Sequence, residues 1–204
     1  MSVSAGVSIH VAVLAAGKSG RFGKPKLLEI LDGHPVLNYA LSVARECFPD
    51  NVLLVTGTDA DLVESAGAVL ADRIVFNPDH ESGMGSSIAT AAKACAGAAD
   101  ALIVMLADQP MITAAHLREL ADRWQGKSSR IVASSYSGTV GPPVLFGRDF
   151  LGELAGLRGE TGAKEILIAH DGAVVEVAFE PASIDIDTPA DLATAANLRS
   201  RSQK

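Results

Sequence analysis

Four cations and three glycines crowd into the fifteen residues 14–28, LAAGKSGRFGKPKLL: Lys18, Arg21, Lys24 and Lys26 with Gly17, Gly20 and Gly23. Directly ahead lies the apolar run 9–15, IHVAVLA, which reads as a strand buried on both faces. A glycine-rich loop leaving such a strand offers backbone N–H groups and side-chain cations at the carboxyl edge of a sheet, so the chemistry it suits is phosphate binding. A solvated turn whose glycines only supply positive φ is the plainer alternative. Two common phosphate motifs do not fit. Phe22 stands where G-x-x-x-x-G-K-[ST] needs its second glycine, and Lys18 stands where G-x-G-x-x-G needs its first.

Carboxylates follow at matching places. Asp108 ends the apolar run 101–107, where it would serve as an oxygen ligand to Mg²⁺ beside bound phosphates or simply cap a loop. Asp185 and Asp187 are two apart on a strand-like 184–187, which puts both on one face with Ile184 and Ile186 toward the core. Asp187 either joins the same metal or supports the cap at Thr188. GMGSS at 83–87 precedes the Ala-rich 88–99, so Gly83 to Ser87 would offer free N–H groups at a helix start, with Ser86 or Ser87 as an ordinary N-cap. The five histidines, His10, His34, His80, His116 and His170, have no ligand spacing. His80 lies within reach of the GMGSS loop, and a solvated loop histidine is its plainer reading. Cys47 and Cys95 lack any CxxC partner and read as packing residues.

The elements that must position these groups are strands at 9–15, 51–56, 73–76, 101–107 and 130–134, alternating with helices through about residue 125. The clearest helix is 113–124, capped by Thr113. That alternation predicts an α/β fold of three layers, a mostly parallel Rossmann-like sheet with helices on both faces. Beyond it come a stiff turn with an apolar tail at 141–146 (GPPVLF), helices at 147–155 and near 163–169, and strands at 174–179 and 184–187. A last helix opens on TPAD, with Thr188 as N-cap, Pro189 in the first turn and Asp191 closing a capping box. The chain reads as one unit over 1–204 with a core at about 9–198. Its charge of −7 argues against nucleic acid or an anionic membrane as partner. The lack of a signal peptide or a membrane-length apolar run predicts a soluble cytoplasmic protein.

Six blocks in order carry a resemblance: L-A-A-G-x-S-x-R-F-G-x-x-K-L-L at 14–28, GMGSS at 83–87, DQP at 108–110, GPPVLF at 141–146, RGETGAKEIL at 158–167 and DIDTPADL at 185–192. Together they resemble the MobA-like nucleotidyltransferases, above all the molybdenum cofactor cytidylyltransferase (MocA-like) branch. The resemblance implies a nucleotide-diphospho-sugar transferase type of fold and transfer of CMP from CTP to the terminal phosphate of molybdenum cofactor, with release of pyrophosphate. It also implies residue roles: Arg21, Lys26 and Asp108 catalytic, with Leu14, Ala15, Ala16, Gly17, Lys18, Ser19, Gly20, Gly83, Gly85, Ser86 and Ser87 at the nucleotide. Asp108 and Asp187 would hold Mg²⁺, or Mn²⁺ in its place, and Gly141, Pro142 and Pro143 would lie near the pterin. Ala16 carries the choice of CTP over GTP, since the guanylyl branch more often reads LAGG. Glu160 and Lys164 depart from the family pattern Gly-Asp-x-Gly-Ala-Arg. Transient contact with a molybdenum hydroxylase would follow. Other readings are a related transferase using GTP or a sugar or alcohol phosphate, a non-catalytic carrier of the cofactor, and an oxidoreductase on the same scaffold.

Overall fold

The computed structural model describes residues 6–18, 20 and 22–202. In chain order these form β1 (Ile9–Ala15), β2 (Ile30–Leu31), β3 (His34–Pro35), α1 (Val36–Cys47), β4 (Val52–Thr56), α2 (Ala60–Gly67), β5 (Arg73–Phe76), α3 (Met84–Cys95), β6 (Ala101–Leu106), α4 (Ala114–Trp124), β7 (Ile131–Tyr136), β8 (Thr139–Gly147), α5 (Leu151–Ala155), α6 (Ala163–Ala169), β9 (Val174–Ala178) and α7 (Pro189–Ser202).

Seven strands form one sheet in the order β5-β4-β1-β6-β8-β7-β9, and β2 pairs with β3 separately. The pairings among β5, β4, β1 and β6 are parallel, β8 runs against both β6 and β7, and β9 is parallel to β7. The continuous apolar runs read from the sequence are the central strands because parallel strands here are covered on both faces. Successive side chains point to opposite faces. Val11 and Val13 of β1 with Ile103 and Met105 of β6 therefore pack under α1 and α4, against Leu37, Leu41, Leu117 and Trp124. Ala12, Leu14, Leu102 and Val104 pack on the other side with Ile88, Ala92 and Cys95 of α3 and Leu154 of α5. This makes the three layers expected.

Thr113 caps α4 as its sequence predicts, its Oγ1 accepting from the His116 N–H at 3.2 Å. The box at the start of α7 also forms: Asp191 Oδ2 accepts from the Thr188 N–H at 2.7 Å, and the Asp191 N–H donates to Thr188 Oγ1 at 3.3 Å. Three local expectations are corrected. The helix placed at 88–99 begins at Met84, four residues early, so Ser86 and Ser87 lie inside its first turns and neither is the N-cap. GPPVLF is strand, within β8. Its prolines are tolerated because the ladder to β6 stops at Val144, and the register with β7 jumps from Ala133↔Val144 to Ser134↔Gly141, leaving 142 and 143 unpaired in a bulge. Residues 184–187 are not a strand but an extended tail behind a 3-10 turn, tied to the end of β6 by a backbone bond from Ile186 N–H to Asp108 O at 2.9 Å. Among the described residues no helix is long and apolar enough to cross a membrane.

Candidate active site

β1 is the point where the sheet order divides, since the chain continues to β4 and β5 on one side and returns to β6 on the other. Crevices at such switch points lie beyond the carboxyl ends of the strands, and Lys26, Asp108 and Asp187 of the groups singled out from the sequence meet there. The loop after β1 is pinned by the buried Phe22 and Leu27, and Lys26 opens a short 3-10 turn behind Pro25. This aims Lys26 at the end of β6. Its Nζ lies 2.7 Å from Asp108 Oδ2 and 2.8 Å from Asp187 Oδ1, with side-chain exposures of 14, 19 and 34% for the three. Burial by itself would lower the pKa of Lys26, but the facing carboxylates of Asp108 and Asp187 outweigh it and hold the ammonium above its ordinary value.

Asp187 owes its place to two bonds donated by backbone N–H groups, one to a carbonyl and one to a carboxylate. Ile186 zips the tail onto Asp108, and the Asp187 N–H donates to Asp191 Oδ2 at 3.1 Å. The helix cap is thus closed by Thr188 and Asp191, while the Asp187 side chain turns to Lys26. Asp185 keeps an open edge to solvent, yet partial desolvation first, then the nearby charges of Asp108 and Asp187, push its carboxyl up to about 6. Gln109, buried behind the site, donates from Nε2 to Ala182 O at 2.9 Å.

Asp108 Oδ1 is buried without a hydrogen-bond partner among the described residues, and a second carboxylate meets the same ammonium. A hard divalent cation suits such a pair, since it takes oxygen ligands and completes its shell with water and phosphate oxygens. Among the described residues no group of three or more His, Cys, Asp and Glu is arranged to hold a metal by itself. Among the described residues Asp108 and Asp187, which meet the same ammonium, are the pair that could hold one.

A cavity of about 520 Å³ opens beside them, lined by Leu14, Ala16, Gly17, Lys18, Lys26, Gly83, Ser87 and Asp108 of the residues expected at the site. Ser19 and Arg21 lie outside the described residues. Ala15 is buried in the sheet, and Gly20 lies outside the cavity lining. Gly85 and Ser86 face inward. The Gly85 N–H donates to Gly159 O at 3.0 Å, so that amide is not free for a ligand. The Ser86 hydroxyl serves Asp79 O and Gly83 O. The close approach that these glycines allow is to the protein itself. A Cβ on Gly83 would lie 2.5 Å from Gly159 O, and one on Gly85 would strike Thr161 O. Gly141, Pro142 and Pro143 are away from this cavity, and a Cβ on Gly141 would strike the Tyr136 hydroxyl.

Sequence reasoning passed over several groups that line the cavity: Leu27, Glu81, Met84 and Leu106. Glu81 holds Lys18 at 2.7 Å. Glu160 lines the cavity because 158–161 packs on the glycines of the start of α3, whereas Lys164 is exposed on α6. His80 is no solvated loop residue: it is half-buried, lines the cavity, and its Nδ1 sits 3.0 Å from Asn77 O. The signal that would have found it is Asn77, a polar residue in NPDHESGMGSS whose burial demands partners on both sides.

Residues 11–174 match the family described as the MobA-like NTP transferase domain. The purine catabolism protein PucB of Bacillus subtilis (strain 168) is 32% identical over 86% of this chain and 90% of its own. The molybdenum cofactor cytidylyltransferase of Escherichia coli (strain K12) is 25% identical over 92% of this chain and 95% of its own. A bifunctional protein GlmU of Acidovorax ebreus (strain TPSY) is 30% identical over 81% of this chain, which spans only 34% of that relative. The crystal structure of Rv0371c from Mycobacterium tuberculosis H37Rv superposes with a TM-score of 0.82 at 32% identity, covering 95% of this chain and 100% of that one. A complex of the same protein with manganese superposes at 0.76, with 30% identity and coverages of 94% and 99%.

Proposed function

The chain belongs to the MobA-like NTP transferase family, and from that premise we propose that it transfers CMP from CTP to the terminal phosphate of molybdenum cofactor, releasing pyrophosphate. The observation that carries the reading is Lys26 bridging Asp108 and Asp187 at the mouth of a cavity edged by the loop after β1. The likeness to a molybdenum cofactor cytidylyltransferase along nearly the whole chain supports the choice of base and acceptor.

The acceptor needs no activating base, because a phosphate monoester has a second pKa of about 6 and is largely ionised near neutral pH. One of its oxygens bonds to the α-phosphorus of CTP, the bond from that phosphorus to the bridging oxygen breaks, and pyrophosphate leaves with the electron pair. The protein's work is alignment and charge neutralisation. The backbone from 14 to 20 and Lys18 hold the triphosphate, Ser87 and the α3 start receive the nucleoside, and Arg21 and Lys26 offset charge on the α-phosphate and the leaving group. Asp108 and Asp187 would hold Mg²⁺ or Mn²⁺, and the similar Rv0371c forms a complex with manganese. A divalent cation bound there supplies further neutralisation of phosphate charge. Gly141, Pro142 and Pro143 are assigned to the acceptor's side, and the whole chain acts as one transferase unit in the cytoplasm.

Pyrophosphate release from CTP and from GTP, each with Mg²⁺ and with or without molybdenum cofactor, tests this. Cofactor-dependent release from CTP, abolished in Lys26→Ala and Asp108→Ala with the fold intact, is expected. Release from GTP alone, or full turnover in either variant, overturns it.

A further inference from the structure

We propose that His80 reads the exocyclic amino group of the nucleobase, so that the cavity prefers an amino-bearing pyrimidine to its oxo counterpart. This rests on the nucleotidyl transfer reading and adds the residue that would set the base. The cavity lining mixes two chemistries: Lys26 and Asp108 suit phosphates and a cation, while Leu14, Ala16, Ser87 and His80, beside the mutually paired Lys18 and Glu81, supply apolar surface and neutral hydrogen-bonding groups suited to a base.

The hydrogen-bonding character of His80 follows from its neighbour. Nδ1 lies 3.0 Å from Asn77 O, and a carbonyl oxygen only accepts, so Nδ1 carries the proton. In the neutral ring Nε2 then bears a lone pair and is an acceptor. The ring's position is set by packing. Phe76 meets it edge-on with centroids 5.8 Å apart, and at Gly57 an added Cβ would fall 2.6 Å from His80 Cβ and 2.8 Å from Ala16 Cβ. Only glycine at 57 lets His80 and Ala16 close together on the same side of the cavity.

Asn77 ties this acceptor to a donor. Its backbone carbonyl holds His80, while its side-chain Nδ2 donates to Ser86 Oγ at 2.8 Å and to Ser87 Oγ at 3.0 Å. Ser87 Oγ thus accepts from Asn77 and keeps its own proton, for which no acceptor is found among the described residues. An acceptor on His80 and a hydroxyl donor on Ser87, both at the cavity, match the amino group and ring nitrogen of cytosine. Uracil offers an oxygen to the lone pair of His80, which is repelled, whereas the Ser87 hydroxyl keeps a second lone pair and can pair with the ring nitrogen of either base, so the discrimination falls to His80. Sites that hydrogen-bond an amino group reject its oxo counterpart because their own polar group is left unpaired.

Dissociation constants for CTP, UTP and GTP, measured by calorimetry with Mn²⁺ for the wild type, His80→Phe and His80→Gln, test the proposal. Phe keeps a flat ring without the acceptor, and Gln restores an acceptor oxygen. The wild type should prefer CTP to UTP, and His80→Phe should cut that ratio roughly tenfold or more by weakening CTP alone, as loss of one such bond predicts. His80→Gln should recover part of the ratio, and retained UTP binding shows that the variant is folded. An unchanged ratio in His80→Phe overturns the assignment while leaving nucleotide binding intact. Equal weakening of CTP and UTP also overturns it, by making His80 a phosphate contact. A wild type that prefers GTP or UTP removes the choice of CTP together with this assignment while leaving nucleotidyl transfer standing, and one that binds none of the three removes the underlying transferase reading as well.

Discussion

Lys26→Met takes away the ammonium that holds Asp108 and Asp187 at 2.7 and 2.8 Å, and leaves two carboxylates facing each other. At an effective dielectric of 20 each contact amounts to ~6 kcal/mol of gross attraction, most of it offset by the desolvation of the three groups. Breaking a fully buried pair costs about 3–5 kcal/mol, and these side chains are 14, 19 and 34% exposed, so the net loss should be nearer ~2 kcal/mol. For a chain of this length that lowers the unfolding midpoint by about 4–8 °C. A divalent cation should reverse the loss, because in the variant it no longer has to displace an ammonium from between the two aspartates. At a hundred times its dissociation constant a ligand adds about 2.7 kcal/mol. Thermal unfolding with increasing Mn²⁺ and no nucleotide reads this directly. Lys26→Met should melt low without metal and gain more from Mn²⁺ than the wild type does, whereas Asp108→Asn should gain little. A Lys26→Met protein as stable as wild type, or with no larger response to Mn²⁺, would refute the view that lysine and metal compete for one place.

Two further expectations follow from the packing. Gly85→Ala drives a methyl into Thr161 O and crowds Gly159 O and Arg158 O, so it should destabilise by about 1–3 kcal/mol, and the 158–161 segment should gain hydrogen exchange. His116 is buried, stacks on Phe179 with centroids 4.0 Å apart, and reaches Ser134 Oγ at 2.8 Å, while Ser134 donates onward to Pro143 O. Burial lowers its pKa to about 4, against a partial opposing pull from Glu119. The unfolded chain therefore takes up a proton near pH 6.5 that the folded chain refuses until about 4, and stability falls across that window by up to ~3 kcal/mol. Denaturant unfolding from pH 7.5 to 4.5 should show a flatter loss in His116→Gln. Comparing the two proteins cancels the opposite slope of Asp185, and equal slopes would mean that His116 is charged when folded.

Much of this protein is legible in its sequence because the signals are local. The apolar runs at 9–15 and 101–107 are strands, for a segment buried on both faces must be apolar throughout. Thr113 and the TPAD box are caps, since a cap is satisfied within four residues. Asp108 and Lys26 could each be singled out as residues at a strand's carboxyl edge. That the two meet, and that Asp187 joins them, depends on segments 82 and 161 residues apart along the chain, and on one backbone bond from Ile186 to Asp108. No periodicity encodes such a bond. The same limit explains the corrections. Prolines 142 and 143 look like a turn until a bulge in β8 leaves them no ladder to break. Gly83 and Gly85 look like room for a ligand until 158–161 fills it. Local propensity decides which elements form, whereas the contacts that bring Lys26 to Asp187 and give Gly85 its neighbour are made only when distant segments pack.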